Sequence, residues 1–257
     1  MDPPLTAPTS PLAFHEAASI GRRENQEDSS TIRLLDDGAA LLLVVADGMG
    51  GHEGGEIASG LAIQTFADCF EFNTTGELPK RLKLALLMAN EVLAEQVRLD
   101  PELDGMGTTL VAAHISEAGL HWVSVGDSLL LLCRQGEIQR LNQDHSMAPV
   151  IERRFQAGKI TREQADNDPD RNMLLAVLTG LNSPDMMDCP NSAYPLLAGD
   201  QIIVASDGLQ SLSMDEITAV LGKGLSPQVC VEALLRDVAG KADPQQDNTT
   251  VQLALRR

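Results

Sequence analysis

The sequence predicts an α+β fold in which antiparallel strands outnumber helices. Three observations carry that prediction. Strand-like runs follow one another through 107–141 with connections short enough for hairpins. Helix-period stretches stand apart from them, two before residue 100 and two after residue 210. An apolar strand running into Asp-Gly occurs twice, as LLLVVADG at 41–48 and IIVASDG at 202–208.

Taken in order, Ser19 to Arg33 is expected to form strand, turn and strand, with GRRENQED in the turn. Leu41 to Val45 is apolar throughout, as in a strand buried on both faces, and it ends at Asp47. Gly48, Gly50 and Gly51 then bend the chain and bare its carbonyls beside that carboxylate. A carboxylate with a bare carbonyl suits a hard divalent cation such as Mg²⁺ or Mn²⁺; an ordinary turn after a strand is the alternative. Gly54 to Phe72 has helical spacing that buries Ile57, Leu61 and Phe66, and Lys80 to Arg98 forms a second helix beyond a 73–79 linker. Gly107 to Ile115, Gly119 to Val125 and Leu129 to Cys133 are successive strands, and Gln135-Gly136 turns the chain into another at Glu137 to Leu141.

From Asp144 to Asn182 the strand pattern stops. The stretch is polar and punctuated by Pro149, Gly158 and Pro169, and its Arg153, Arg154 and Lys159 suit a solvated face. Gly199 to Asp207 is the second Asp-Gly strand. Met214 to Leu221 and Ser226 to Val238 are helices, the second capped by Ser226 with Pro227 in its first turn. Thr250 to Leu255 is the closing strand.

Composition narrows the function. A chain of 257 residues with 43% hydrophobic content can bury a full core, and with 3% aromatics Leu, Val, Ile and Ala must fill it. A net charge of −18 argues against nucleic acid or an anionic membrane as the main partner. No apolar stretch reaches the length of a membrane span. Residues 1–14, MDPPLTAPTSPLAF, lack the features of a signal peptide and are expected to be a disordered lead-in, with cytoplasmic residence as the default. Cys69, Cys133, Cys189 and Cys230 show no metal-like spacing. Cys230 and Arg236 match C-x5-R, but the intervening VEALL is helix-forming and has no glycine to wrap a phosphate.

Further carboxylates stand at strand ends. Asp247 precedes the run Thr249 to Leu255, Glu27-Asp28 follows Arg22-Arg23, and Asp127 lies in Gly126-Asp127-Ser128. With Asp47 and Asp207 they form the set that a multi-metal site between sheets requires, because like charges gather only around cations.

The pieces GRRENQED, VVADGMGGHEGGEIAS, GMGTTLVAA, VSVGDS, LNQDHS, the RN at 171–172, GDQIIVASDGL and DNTTV occur in an order that resembles the metal-dependent serine/threonine protein phosphatases of the PPM class, type 2C, in their bacterial single-domain form. The resemblance runs from about residue 15 to the C-terminus. It implies a four-layer αββα sandwich of two antiparallel β-sheets flanked by helix pairs, with metals at one edge and a small flap subdomain at about 145–182. It implies two Mn²⁺ or Mg²⁺ ions, with Asp47 bridging them, Gly48 lending a carbonyl, and Asp207 and Asp247 binding one of them. Glu27 and Asp28 match the pair that holds metal-bound waters or supports the site. Asp127 matches the residue that, with Asp207, can hold a third, weaker ion.

Arg23, four residues before Glu27, matches the arginine that binds the substrate phosphate, with Arg22 as the competing residue. Met49 stands where some members carry a histidine, and His52 is the nearby proton-donor candidate. His145 is expected to be structural, His15, His114 and His121 have no support as ligands, and Leu129 replaces the arginine that usually follows the Gly-Asp-Ser turn. In such an enzyme a water bridging two ions ~3.5–4 Å apart is acidified to hydroxide and attacks phosphorus in line. The expected function is hydrolysis of phosphoserine and phosphothreonine in proteins, by a monomer opposing a bacterial serine/threonine kinase. A non-catalytic phosphoprotein-binding module and a small-molecule phosphatase are the alternatives; retention of every metal carboxylate favours the enzyme.

Overall fold

The computed structural model describes residues 11–51, 53–181 and 186–257. Its elements are β1 (Leu12–Ser19), β2 (Asp28–Leu35), β3 (Ala40–Met49), α1 (Gly54–Phe72), α2 (Leu78–Leu99), β4 (Gly107–Thr108), β5 (Leu110–Ser116), β6 (Gly119–Val125), β7 (Leu129–Arg134), β8 (Glu137–Arg140), α3 (Ala148–Gln156), α4 (Arg162–Asp166), β9 (Gln201–Ala205), α5 (Met214–Leu221), α6 (Pro227–Gly240) and β10 (Thr249–Arg256). One sheet has the order β1-β10-β9-β7-β8 and the other β2-β3-β5-β6, with β4 pairing β3. Every pairing is antiparallel.

Strand alternation sorts the apolar residues into three layers of core. On β3, Leu42 and Val44 face α1 and α2, where they join Phe66, Phe70 and Leu86. Leu41, Leu43 and Val45 face the other sheet and join Val111, Leu130 and Val204. Beyond that sheet, Leu131, Ile203 and Leu253 meet Ile217, Val231 and Leu234 of α5 and α6. Each β3 side chain from Leu41 to Val45 is fully buried, a gain of about 1.5–3 kcal/mol apiece. The four-layer sandwich is therefore present, with one helix pair on each outer face.

Helix starts follow their capping chemistry. Ser213 and Glu216 form a capping box on α5, and the Ser226 hydroxyl accepts from the Val229 N–H at the start of α6, with Pro227 in its first turn. The Cys230 to Arg236 stretch lies inside α6, so it forms no phosphate loop. Among the described residues no helix is long and apolar enough to cross a membrane.

Three expectations need correction. The lead-in does not extend to residue 14: β1 already pairs Leu12 with Arg256, because Leu12 and Phe14 alternate into the inter-sheet core. This strand precedes Ser19 rather than following it, and residues 1–10 lie outside the described residues. Strand β3 does not stop at Asp47 but runs to Met49, because β4 takes over as its partner through Gly48↔Thr108 and Met49↔Gly107. By contrast, among the described residues the strand pattern does stop after Asp144, where the polar stretch forms two short helices, α3 and α4, the second closed by a Thr161–Gln164 capping box.

An ion pair between half-buried Arg134 and buried Asp200 pins the ends of β7 and β9 where they meet. Arg134 Nε and Nη2 donate to the two Asp200 carboxylate oxygens at 2.8 and 2.6 Å, and the Leu197 N–H adds a bond at 2.7 Å. Burial raises the Asp200 pKa, but these hydrogen bonds outweigh it and hold the carboxyl below its ordinary value. Arg134→Met is expected to destabilise the fold by about 2–3 kcal/mol at pH 7. A depressed carboxylate stabilises above its unfolded pKa, near 4, and that stability is lost as pH falls through the folded value. Urea unfolding at pH 7 and in acid checks both points: the two proteins should differ at pH 7 and converge in acid.

Candidate metal centre and phosphate site

Both sheets deliver carboxylates to one edge. Asp47 lies near the end of β3 and opposite Asp28 on β2. Asp207 begins a 3-10 turn directly after β9, Asp247 precedes β10, and Asp127 lies between β6 and β7. A cavity of about 280 Å³ is lined by Asp47, Gly48, Asp127, Asp207 and Asp247 together with Arg23, Glu27, Met49 and Asn172. It adjoins a wider polar groove of about 860 Å³, which shares Arg23, Asp127, Asn172, Asp207 and Asp247 and adds Arg22, Arg171, Ser146 and Ser211.

The backbone around Asp47 is held on every side. Its N–H donates to the Thr109 hydroxyl at 3.0 Å, while its carbonyl accepts from the Thr109 N–H and the Thr108 hydroxyl, each at 2.9 Å. The Gly48 N–H donates to the Glu27 carbonyl at 3.1 Å. A side chain on Gly48 would collide with the Gly55 carbonyl and meet the Glu27 carbonyl at 2.7 Å. A side chain on Gly208 would collide with the Asn248 carbonyl. Neither glycine adopts a left-handed backbone. The expected role of Gly48 in bending the chain is thus replaced by another: each Asp-Gly glycine lets a second backbone pass beside the carboxylate.

Asp28 plays a joining role. Its Oδ2 accepts from the Ser206 and Thr250 hydroxyls, both at 2.7 Å, which tie β2 to the end of β9 and to β10. Burial raises its pKa to about 6 against the lowering effect of these two hydroxyls. Glu27 is more open, and its backbone N–H is held by the Asn248 side chain at 2.8 Å.

The electrostatics are those of crowded like charges. Burial, then the charges of Asp207, Asp28, Asp247 and Asp127, push the Asp47 pKa well above the ordinary carboxylate range. Burial and Asp247 raise Asp207, against the lowering effect of the adjoining Asp47 carboxyl and of Arg23. Burial, Asp207 and Asp144 raise Asp127 to about 7, with Arg140 opposing. Asp207 Oδ1 and Asp28 Oδ1 are buried without a hydrogen-bond partner. Orphaned carboxylate oxygens in an all-oxygen donor set fit a hard divalent cation.

Among the described residues no three such side chains yet surround one point at ligand distance. Asp247 is drawn aside by Arg23 Nη2 at 2.5 Å and by the Asn248 N–H at 2.8 Å. The structure therefore brings Asp47, Gly48, Asp207, Asp247, Asp127 and Glu27 to one cavity, with Asp28 bracing it from behind.

Of the two arginines, only Arg23 reaches the inner cavity; Arg22 lines the outer groove. His52 lies outside the described residues. His145 is structural, its Nδ1 accepting from the Gly126 N–H at 3.2 Å. Sequence reasoning gave no role to Asn172, which lines both cavities, or to Asn248, Ser206 and Thr250, which organise the acids. The available signal was adjacency: Asn248 and Thr250 follow Asp247, and Ser206 precedes Asp207.

The chain is similar to known proteins over most of its length. Residues 17–238 match the profile of the protein phosphatase 2C family. The serine/threonine protein phosphatase PstP of Mycobacterium tuberculosis is 35% identical over 194 residues, which are 76% of this chain and 35% of that protein. The chain thus spans about a third of that relative's length. The serine/threonine phosphatase stp of Listeria monocytogenes is 29% identical over 204 residues, 76% of this chain and 78% of that protein. A crystal structure of the catalytic domain of PstP in complex with two manganese ions superposes with a TM-score of 0.74 at 32% identity, covering 95% of this chain and 98% of the other. With its profile matched over most of its length and its sandwich shared with that domain, this chain belongs to the protein phosphatase 2C family.

Proposed function

We propose that the chain hydrolyses phosphoserine and phosphothreonine in proteins, using Mn²⁺ or Mg²⁺ at the carboxylate edge and opposing a serine/threonine kinase. The observation that carries this reading is the convergence of Asp47, Asp207, Asp247 and Asp127 with Arg23 in one cavity opening to a wide polar groove. Asp47, Asp207, Asp247 and the Gly48 carbonyl would hold two ions, and Asp127 with Asp207 would hold a weaker third. Held there, divalent ions would supply an acidified water and positive charge for the phosphoryl oxygens.

The chain's own residues supply the rest. Arg23 is half-exposed and paired with Asp247, so its guanidinium has donors left to grip and orient a phosphate. Glu27 offers its carboxylate to waters at the cavity wall, and Asp28 keeps the two sheets in register. His52 is the proton-donor candidate for the leaving oxygen from the sequence alone. The groove beside Arg23 offers Arg22, Arg171, Ser146 and Gln245 to a peptide flanking the phosphoresidue. An open polar groove of this size suits a protein loop better than an enclosed small molecule. A monomer in the cytoplasm completes the proposal.

Phosphate release from a phosphothreonine peptide is expected to need added Mn²⁺ or Mg²⁺, to stop on chelation and to return with Mn²⁺. Full activity in a thoroughly chelated sample would overturn the metal reading.

Asp207→Asn is expected to lower kcat by about a hundredfold or more, as loss of a charge-stabilising group does. Its metal-free fold should be at least as stable as wild type. A raised carboxyl stabilises below its unfolded pKa, and this is lost as pH rises through the folded value. The stability gap in favour of the variant should therefore widen from acid toward neutral pH in thermal melts with chelator.

Arg23→Ala is expected to lower kcat/KM by about 10–100-fold, chiefly through KM, as loss of a charge-assisted hydrogen bond to substrate would. Steady-state kinetics on the phosphopeptide tests it, with Arg22→Ala alongside; a larger effect from Arg22 would reverse the assignment.

A further inference from the structure

Asp127 is held by an arginine that the sequence does not place beside it. Leu129 follows the Gly126-Asp127-Ser128 turn, so the turn itself carries no cation. The cation arrives from Arg140, the last residue of β8. Arg140 Nη2 donates to the Asp127 carbonyl at 2.8 Å and to the Ser128 carbonyl at 3.2 Å. Nη1 donates to Asp144 Oδ2 at 3.0 Å, and Nε to Asn142 Oδ1 at 3.2 Å. The Arg140 and Asp144 side chains are only 19% and 18% exposed, so the pair is screened far less than a surface bridge.

Each partner leads somewhere. Asn142 Nδ2 donates to the Ser128 carbonyl at 2.9 Å, and its Oδ1 accepts from the Leu130 N–H at 2.9 Å, closing the same turn from the β7 side. Asp144 Oδ1 accepts from the Ser146 N–H at 2.9 Å, just ahead of α3. The His145 N–H then returns to the Gly126 carbonyl at 3.1 Å. One planar fork therefore grips the peptide plane leaving Asp127 and the start of the segment that carries α3 and α4. A lysine has no such fork and cannot satisfy these acceptors together.

We propose that Arg140 is a positioning residue for this reaction: by holding the Asp127 and Ser128 carbonyls with the guanidinium that also holds Asp144, it fixes the Asp127 carboxylate at the metal edge and ties it to the base of the α3–α4 segment. The proposal rests on the reading of Asp127 as a ligand of the weaker ion. Partners one shell behind a ligand typically change metal affinity by about 10–100-fold when removed.

The test is a Mn²⁺ titration by calorimetry, without substrate, on the 257-residue wild type, Arg140→Gln, Arg140→Lys and Asp127→Ala. It is paired with kinetics on a phosphothreonine peptide and on an aryl phosphate whose leaving group needs little protonation. Arg140→Gln is expected to weaken the weakest Mn²⁺ class by about tenfold and leave the tight class unchanged. Its kcat on the peptide should fall more than on the aryl phosphate, and Arg140→Lys should lie between it and wild type. If Asp127→Ala loses the weak class while Arg140→Gln keeps it and only melts earlier, Arg140 merely closes the turn and the proposal is wrong. If Asp127→Ala leaves all Mn²⁺ binding intact, the ligand reading fails and takes the proposal with it. Should Arg140→Gln not fold, Arg140→Lys decides: wild-type weak binding and an unchanged substrate ratio overturn the proposal.

Discussion

Two short hydrogen bonds hold the site edge together. Ser206 and Thr250, both from the sheet that contains β9 and β10, donate to one oxygen of Asp28 on β2 of the other sheet. Sheet faces packed through Leu, Val and Ala slide easily, because dispersion has no direction. Directional bonds to a buried carboxylate set where the sheets stop. Asp47 belongs to one sheet, and Asp207 and Asp247 flank strands of the other. The spacing of those three acids therefore depends on a residue that need not touch a cation itself.

That spacing is maintained against repulsion. Burial and mutual charge raise the pKa of Asp47, Asp207 and Asp127 together, so the folded chain stores unfavourable electrostatics at this edge. The stabilising side is spread through three layers of apolar core and through the Arg134–Asp200 pair at the far end of β9. Function here is a local cost carried by a large fold.

Much of this was legible in the sequence, for physical reasons. The bounds of α1 follow from apolar period and those of α5 from apolar period with a Ser213 cap, and the strands from 107 onward follow from apolar runs and short turns. The acids were legible as strand ends. The partners that organise them were not, because Ser206, Thr250, Asn248 and Arg140 act across long separations in sequence, and a hydroxyl or amide leaves no periodic trace. The extension of β3 to Met49 was hidden because glycine ordinarily signals a turn. At Gly48 the demand is for empty space beside a strand, and composition cannot separate the two demands.

The position of the α3–α4 segment has a consequence for how such a scaffold diversifies. Strand β8 ends at Arg140 and β9 begins at Gln201, and both pair with β7 in the same sheet. The intervening residues thus leave and re-enter the sheet on either side of one strand, with Arg140 at the exit and Asp200 at the return. Closing a longer excursion between two fixed posts costs little, since that cost grows only with the logarithm of its length. The excursion can therefore lengthen or shorten at little cost in closure, while the residues it sends to the acid cavity, Asn172 among them, are bound to keep their places.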